Sequence, residues 1–232
     1  MNVFTSLILF LLATSLVGKE IPYGKAEDVG MSSAKLREIE AAVGYHLDQN
    51  HLAGGITMVL RKGQIVHLEA HGYRDLEKRI SMSEDTIFRI YSMTKPVLSV
   101  GVMMLVEEGK VELDQPITDF LPELKDLKVY SEEGYTSPKR YPTIRDLLRH
   151  TAGFTYGLFG NSPVDKAYRK AKLLSSSDDS TTFINKLSKL PLLYQPGEDW
   201  EYSVGDDILG VIIERISGTS LARFLQERIF EQ

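Results

Sequence analysis

A serine and a lysine three residues apart, Ser92 and Lys95, open an apolar run that extends through Val106. On a helix that spacing puts both side chains on one face, one turn from each other. A serine hydroxyl is a weak nucleophile until a neighbouring base takes its proton. A lysine amine can be that base when apolar burial draws its pKa down from about 10.4, by as much as ~3–5 units. The run from Val97 to Val106 is apolar nearly all round, the mark of a helix buried in the middle of a domain. Its first turn also gathers unpaired backbone N–H groups that meet negative charge. From the residues alone two readings of Ser92 stay open: the cap of a core helix, or a nucleophile served by Lys95.

The spacing by itself says little, because it occurs twice. Ser32 and Lys35 repeat it, but they open a segment in which Leu36, Ile39, Val43 and Leu47 recur at helical spacing among charged residues. That pattern predicts an amphipathic surface helix from Ser33 to Asn50, with Ser32 as its N-cap and Lys35 solvated. His150 invites a serine–histidine reading. It follows an amphipathic helix and precedes a turn, and no carboxylate partner is legible, so a structural histidine at a helix end is expected. Asp178-Asp179 and Asp206-Asp207 read as loop and helix-start carboxylates without histidines at metal-ligand spacing. No G-x-S-x-G elbow, phosphate-cradling loop or dinucleotide fingerprint occurs. Neither a metal nor a cofactor is expected.

To position such a pair the chain has 232 residues, 43% of them hydrophobic, enough for one large domain or a domain with a lobe. A net charge of −5 without a basic block leaves no electrostatic footprint for nucleic acid. The absence of cysteine excludes disulfides and thiolate metal sites. Val3 to Val17 is apolar but short of the ~20 residues of a membrane span. We read residues 1–18 as a signal peptide, cleaved after Ala13-Thr14-Ser15 or near Gly18. Residues 19–232 then form a secreted or periplasmic domain with no stable membrane span.

Strand signals come before Ser92. Ile56 to Leu60, a Lys62-Gly63 turn and Gln64 to Tyr73 predict a hairpin, and Asp75 to Ser83 a loop with a short edge strand. Helices dominate afterwards. Gly109 is expected to cap the central helix, and Asp114 to Leu121 to form a short helix stopped by Pro122. Lys125 to Tyr141 reads as irregular. Thr143 should cap the next helix, closed by Gly153. Further helices are expected at Val164–Leu174, Phe183–Leu190, Asp206–Ile216 and Leu221–Phe230. A lone hairpin is marginal in water. The sheet is therefore expected to be completed by strands beyond Gln232.

With Ser92, Lys95 and Tyr202-Ser203-Val204 in view, the chain resembles the serine β-lactamase and penicillin-binding-protein superfamily. It is most similar to the class C β-lactamase branch, with its D-Ala-D-Ala carboxypeptidases and esterases. The resemblance rests on Phe88–Pro96, Gly109–Pro122, Thr143–Phe154 and Pro196–Ser203 followed by Gly210–Gly218, and spans Glu20 to Gln232 in order. It implies an α+β, β-lactamase/transpeptidase-like fold: an antiparallel sheet flanked by helices, plus a helical lobe at about 115–200, with C-terminal sheet strands missing here. It implies that Ser92 forms an acyl-enzyme, that Lys95 shares or takes its proton, and that Tyr202 is the second general base; Tyr130 and Tyr156 fall in loops outside the motif. Ser203 and Val204 become substrate-binding candidates. Val204 stands where the branch's lactamases usually carry asparagine, and valine cannot hydrogen-bond a substrate amide. That departure favours esters over β-lactams or D-amino-acid peptides. The family's third motif, Lys-Thr-Gly or His-x-Gly, is absent, and losing the oxyanion donor on its strand costs about 10²–10³ in rate. A fragment without it is expected to be weakly active or inactive. The rival expectation is a non-catalytic binding protein that kept the fold.

Overall fold

The computed structural model describes residues 20–231, so the expected signal peptide lies outside the described residues. The chain divides into two compact units between Arg89 and Ile90.

The first unit sets helices α1 (Ser33–Leu36) and α2 (Glu38–Asp48) beside the hairpin β1 (Gly54–Arg61) and β2 (Gln64–Asp75). The two-residue strand β3 (Ile80–Ser81) adds to β2, giving an antiparallel sheet of order β1-β2-β3. The hairpin turn works because Lys62 and Gly63 both take left-handed backbone, φ +49 and +74, as a two-residue turn between twisted strands requires. Ser32 accepts the Lys35 N–H and caps α1, while the Lys35 ammonium pairs with Glu38 in solvent. This second Ser/Lys spacing is therefore a cap and a surface ion pair. Ile39, Val43 and Leu47 are half-buried along one face of α2, as their spacing predicts.

The second unit is mostly helical. A 3₁₀ turn, Tyr91–Met93, leads directly into α3 (Thr94–Glu107). Gly109, φ +66, then closes α3 by donating to the Val106 carbonyl. Helices α4 (Ile144–Leu148), α5 (Pro163–Ala171), α6 (Ser180–Leu187), α7 (Gly205–Ser217) and α8 (Leu221–Leu225) follow. Their starts are written in the sequence. Thr143 and Ser162 form capping boxes with Asp146 and Asp165, and Asp179 accepts the Thr182 N–H. α7 packs against α3, α4 and α8. The core between these helices is built from residues such as Leu105, Ile117, Leu121, Ile144, Leu147, Phe154, Ile184 and Ile212.

Four expectations are corrected here. α3 buries Leu98, Gly101, Val102 and Leu105, but Val100 and Met103 are 52% and 41% exposed. An apolar pattern all round shows what a helix can bury, not what covers it. Pro122 does not simply stop a helix. Its fixed φ starts a second 3₁₀ turn, Pro122–Leu124, after Ile117–Asp119. The polar stretch 125–141 holds a small hairpin, β4 (Val129–Ser131) and β5 (Gly134–Thr136). Val129 anchors it by turning into the core, a single apolar residue that no alternation signals. Finally, α8 does not run on as α-helix to Phe230; Gln226–Phe230 is a π-helical turn.

Candidate active site

Ser92 stands on the 3₁₀ turn ahead of α3, and Lys95 one turn later on the helix itself. Tyr91, immediately before the serine, holds left-handed backbone at φ +46. An aromatic residue takes that conformation only at a cost of about 1–3 kcal/mol, and such strain clusters at functional sites. It produces a sharp approach that leaves Ser92 exposed at the head of the helix.

Tyr202 reaches the same point from the segment before α7. Backbone bonds from Leu193 to Gly153, from Gly197 to Thr151 and from Glu201 to His150 zip residues 193–201 onto the loop after α4. Gly205 then lets α7 start hard against α4, because a Cβ there would lie 2.8 Å from the Leu147 carbonyl. The Tyr202 hydroxyl consequently donates to Ser92 Oγ at 2.7 Å. The pairing of Ser92 with Tyr202 spans 110 residues.

Lys95 Nζ donates to the Tyr156 hydroxyl at 3.1 Å and lies 5.1 Å from the centre of the Tyr202 ring. Tyr156 in turn donates to Asp207 Oδ2 at 3.2 Å. The loop that carries Tyr156 is pinned to α5. Thr155 donates to Asp165, Gly157 N–H donates to Thr155, and Arg169 donates to the carbonyls of Gly157 and Gly160. Gly157, at φ +71, makes the turn where a Cβ would come 2.8 Å from the Asp165 carbonyl.

The electrostatics differ from the sequence expectation. Burial does press the Lys95 amine downward, but the Tyr156 and Tyr202 oxygens outweigh it and hold its pKa above the ordinary lysine value. Lys95 rests as an ammonium ion. Tyr156, pushed up to about 12 by burial and by Asp207 against the opposing pull of Lys95, rests as a phenol.

His150 ends α4 at φ +56 and has the partner that the sequence hides. Its Nδ1 accepts the Ser203 N–H at 3.3 Å, which leaves the proton on Nε2, 3.6 Å from Asp206 Oδ2. Burial, then the Lys95 charge, lowers the His150 pKa, so the ring is neutral. It packs at 4.8 Å, centre to centre, on Tyr202. The structural role expected for His150 thus takes a specific form, a prop behind the Tyr202 ring.

Asp206 is 7% exposed, and its pKa is raised to about 6, chiefly by burial, with Lys95 opposing and Asp207 adding to the rise. A carboxyl that binds its proton more tightly when folded, about 6 against ~3.9 unfolded, favours the folded state below the unfolded pKa. That contribution is lost as pH rises through 6. Asp206→Asn keeps an acceptor toward His150 and should therefore stabilise the protein at pH 7.5, by about 1 kcal/mol after solvent screening, with the gain shrinking toward pH 4. Thermal melts of both proteins across that range are the check; a gain independent of pH would refute it.

Of the sequence candidates, Ser92, Lys95 and Tyr202 come together. Ser203 and Val204 do not join them at the cavity: Val204 is fully buried in the core and Ser203 is turned to His150. Tyr156, passed over as a loop residue, accepts a hydrogen bond from Lys95. Its place was hidden because it depends on how the 154–160 loop is pinned, which no local pattern records. Among the described residues one metal-type cluster occurs, His67, Glu69 and His71, with donor atoms within 4.8 Å of one another. The Thr57 hydroxyl joins both imidazole Nε2 atoms at 2.7 and 3.0 Å, which accounts for their convergence as sheet packing.

A strained turn that presents a serine, with a lysine one helical turn on and a tyrosine hydroxyl on the serine oxygen, is an arrangement chemically able to carry acyl transfer through the serine. The beta-lactamase family model matches residues 39–232, and the chain belongs to the beta-lactamase family. Protein Rv1367c of Mycobacterium tuberculosis is 36% identical over 203 residues, 85% of this chain and 48% of that protein. Esterase EstB of Burkholderia gladioli is 33% identical over 188 residues, 79% of this chain and 46% of the esterase. Among solved structures, EstCE1, described as a hydrolase with promiscuous acyltransferase activity, superposes with TM-score 0.73 at 27% identity, covering 84% of this chain and 50% of that one. The chain spans about half the length of the curated relatives it matches. These likenesses bear out the α+β, β-lactamase/transpeptidase-like fold.

Proposed function

We propose that the protein cleaves small-molecule esters through an acyl-enzyme on Ser92, with Tyr202 as the proton-transfer group and Lys95 as its electrostatic partner. The observation that carries this reading is the 2.7 Å contact between the Tyr202 hydroxyl and Ser92 Oγ, with the Lys95 ammonium facing the same ring. Hydroxyl protons rotate, so the contact also serves with Ser92 as donor. In the reacting form, with Tyr202 as the phenolate beside the Lys95 ammonium, Ser92 Oγ bonds to the ester carbonyl carbon while its proton passes to the phenolate oxygen. The tetrahedral adduct collapses, the bond to the alcohol oxygen breaks, and Tyr202 returns the proton to that oxygen. Water then gives a proton to Tyr202 and bonds to the acyl carbon, and Ser92 leaves with its proton restored. The products are an acid and an alcohol.

Lys95 enters this scheme as a cation. Its charge stabilises the phenolate form of Tyr202, present before each proton is taken up and after each is given away, and Tyr156 holds the ammonium in place. Of the two general bases expected, this reading gives the serine proton to the Tyr202 oxygen and makes Lys95 its counter-ion. Ester rather than amide substrates are favoured by the likeness to esterase EstB and EstCE1. An alkyl fluorophosphonate should label the folded protein once, with the added mass on the peptide that holds Ser92. No label on folded protein would favour the binding-protein reading.

A further inference from the structure

A cavity of about 700 Å³ opens at Ser92 and runs between α3, α6, α7 and α8. Two helices present one stripe each to it. On α3 the stripe continues from Ser92 through Lys95 to Leu98, and on α7 it is Asp207, Gly210, Val211 and Glu214. Beyond the reacting groups the walls are apolar: Leu98, Leu173, Phe183, Val211 and Leu221. Gly210 sits where these walls close, since a Cβ there would come 3.0 Å from Leu221 and 3.6 Å from Leu98.

The polar groups that do line the cavity are already engaged. Glu214 accepts from Ser180 Oγ at 2.5 Å and from the Leu221 N–H at 2.8 Å. Asp178 pairs with Lys186 at 2.5 Å, and Asp179 accepts the Thr182 N–H at 2.7 Å. A substrate group lying along this channel meets carbon on its sides and satisfied carboxylates at the end.

We infer that this cavity is the acyl subsite of the Ser92 site and that it takes an apolar acyl chain of medium length. The inference rests on the ester-hydrolase reading above and adds which half of the ester the protein selects. The length follows from the helix. Ser92 to Leu98 spans about 9 Å at 1.5 Å per residue. An extended chain of bonds of about 1.5 Å advances about 1.25 Å per bond, so roughly eight carbons cover that distance.

The test is calorimetric binding of straight-chain carboxylates, butanoate to dodecanoate, to the intact protein. Affinity should rise up to about fourfold per methylene, on the order of 100-fold in all, and level off near octanoate. Val211→Phe, which fills the channel, should move the levelling point to shorter acids. Phe183→Ala, which widens the far end, should move it to longer ones. Opposite shifts from two variants cannot come from a general loss of folding. A flat dependence on length, or 8-aminooctanoate binding more tightly than octanoate, would overturn the proposal. Because the acids bind without reacting, the result is separable from the hydrolase reading. A length dependence with no fluorophosphonate label on Ser92 would leave the subsite and remove the esterase. A label without length dependence would do the reverse.

Discussion

Ser92→Ala should lower ester turnover by about 10⁴-fold or more, as expected when the nucleophile of a concerted serine site is removed. The same change should leave the melting temperature within about 1 °C. Ser92 is exposed, and surface substitutions are usually worth no more than about 0.5 kcal/mol either way. The two readings taken together make the result specific. Activity lost with folding intact places the chemistry on Oγ; a tenfold loss or less would mean that another group attacks. The measurement is kcat/KM for a nitrophenyl ester beside a thermal melt of the same preparation.

Tyr202→Phe should lower kcat by about 10²–10⁴-fold, the usual worth of a positioned general acid–base group, with KM nearly unchanged. This substitution keeps the ring, and with it the packing against His150 at 4.8 Å and Tyr156 at 5.5 Å. It removes only the oxygen that meets Ser92. Were Lys95 the direct base, the loss would stay within about tenfold, because the amine would keep its Tyr156 partner. Combined with Ser92→Ala the effect should not add, since two parts of one proton path fail together. Steady-state kinetics on the two single variants and the double variant settle the roles of the phenol and the amine.

The cases where the sequence read correctly share a physical cause. Ser32 and Thr143 are caps, and a cap is satisfied by backbone two or three residues away, so it is visible locally. The Lys62-Gly63 turn needs left-handed backbone, which restricts residue type at those positions. Ser92 and Lys95 share a helix face for the same kind of reason, a period of 3.6 residues. Where the reading failed, the missing information lay across the chain. The charge on Lys95 depends on two phenols 61 and 107 residues later, and each opposes the effect of burial. His150 finds Asp206 only because α7 begins against the end of α4.

The sequence by itself determined the serine and the lysine one turn beyond it, the tyrosine motif and the order of strands and helices, because these follow from short-range spacing and from motifs that stay contiguous. Only the tertiary structure decided which hydroxyl meets Ser92 Oγ, which residue holds the lysine, and that Val204 and Ser203 face inward while a cavity opens beside Ser92. Those outcomes depend on distances between segments far apart in the chain. A change of a few ångströms in how α3, α7 and the 154–160 loop pack would alter every one of them without changing a single local pattern.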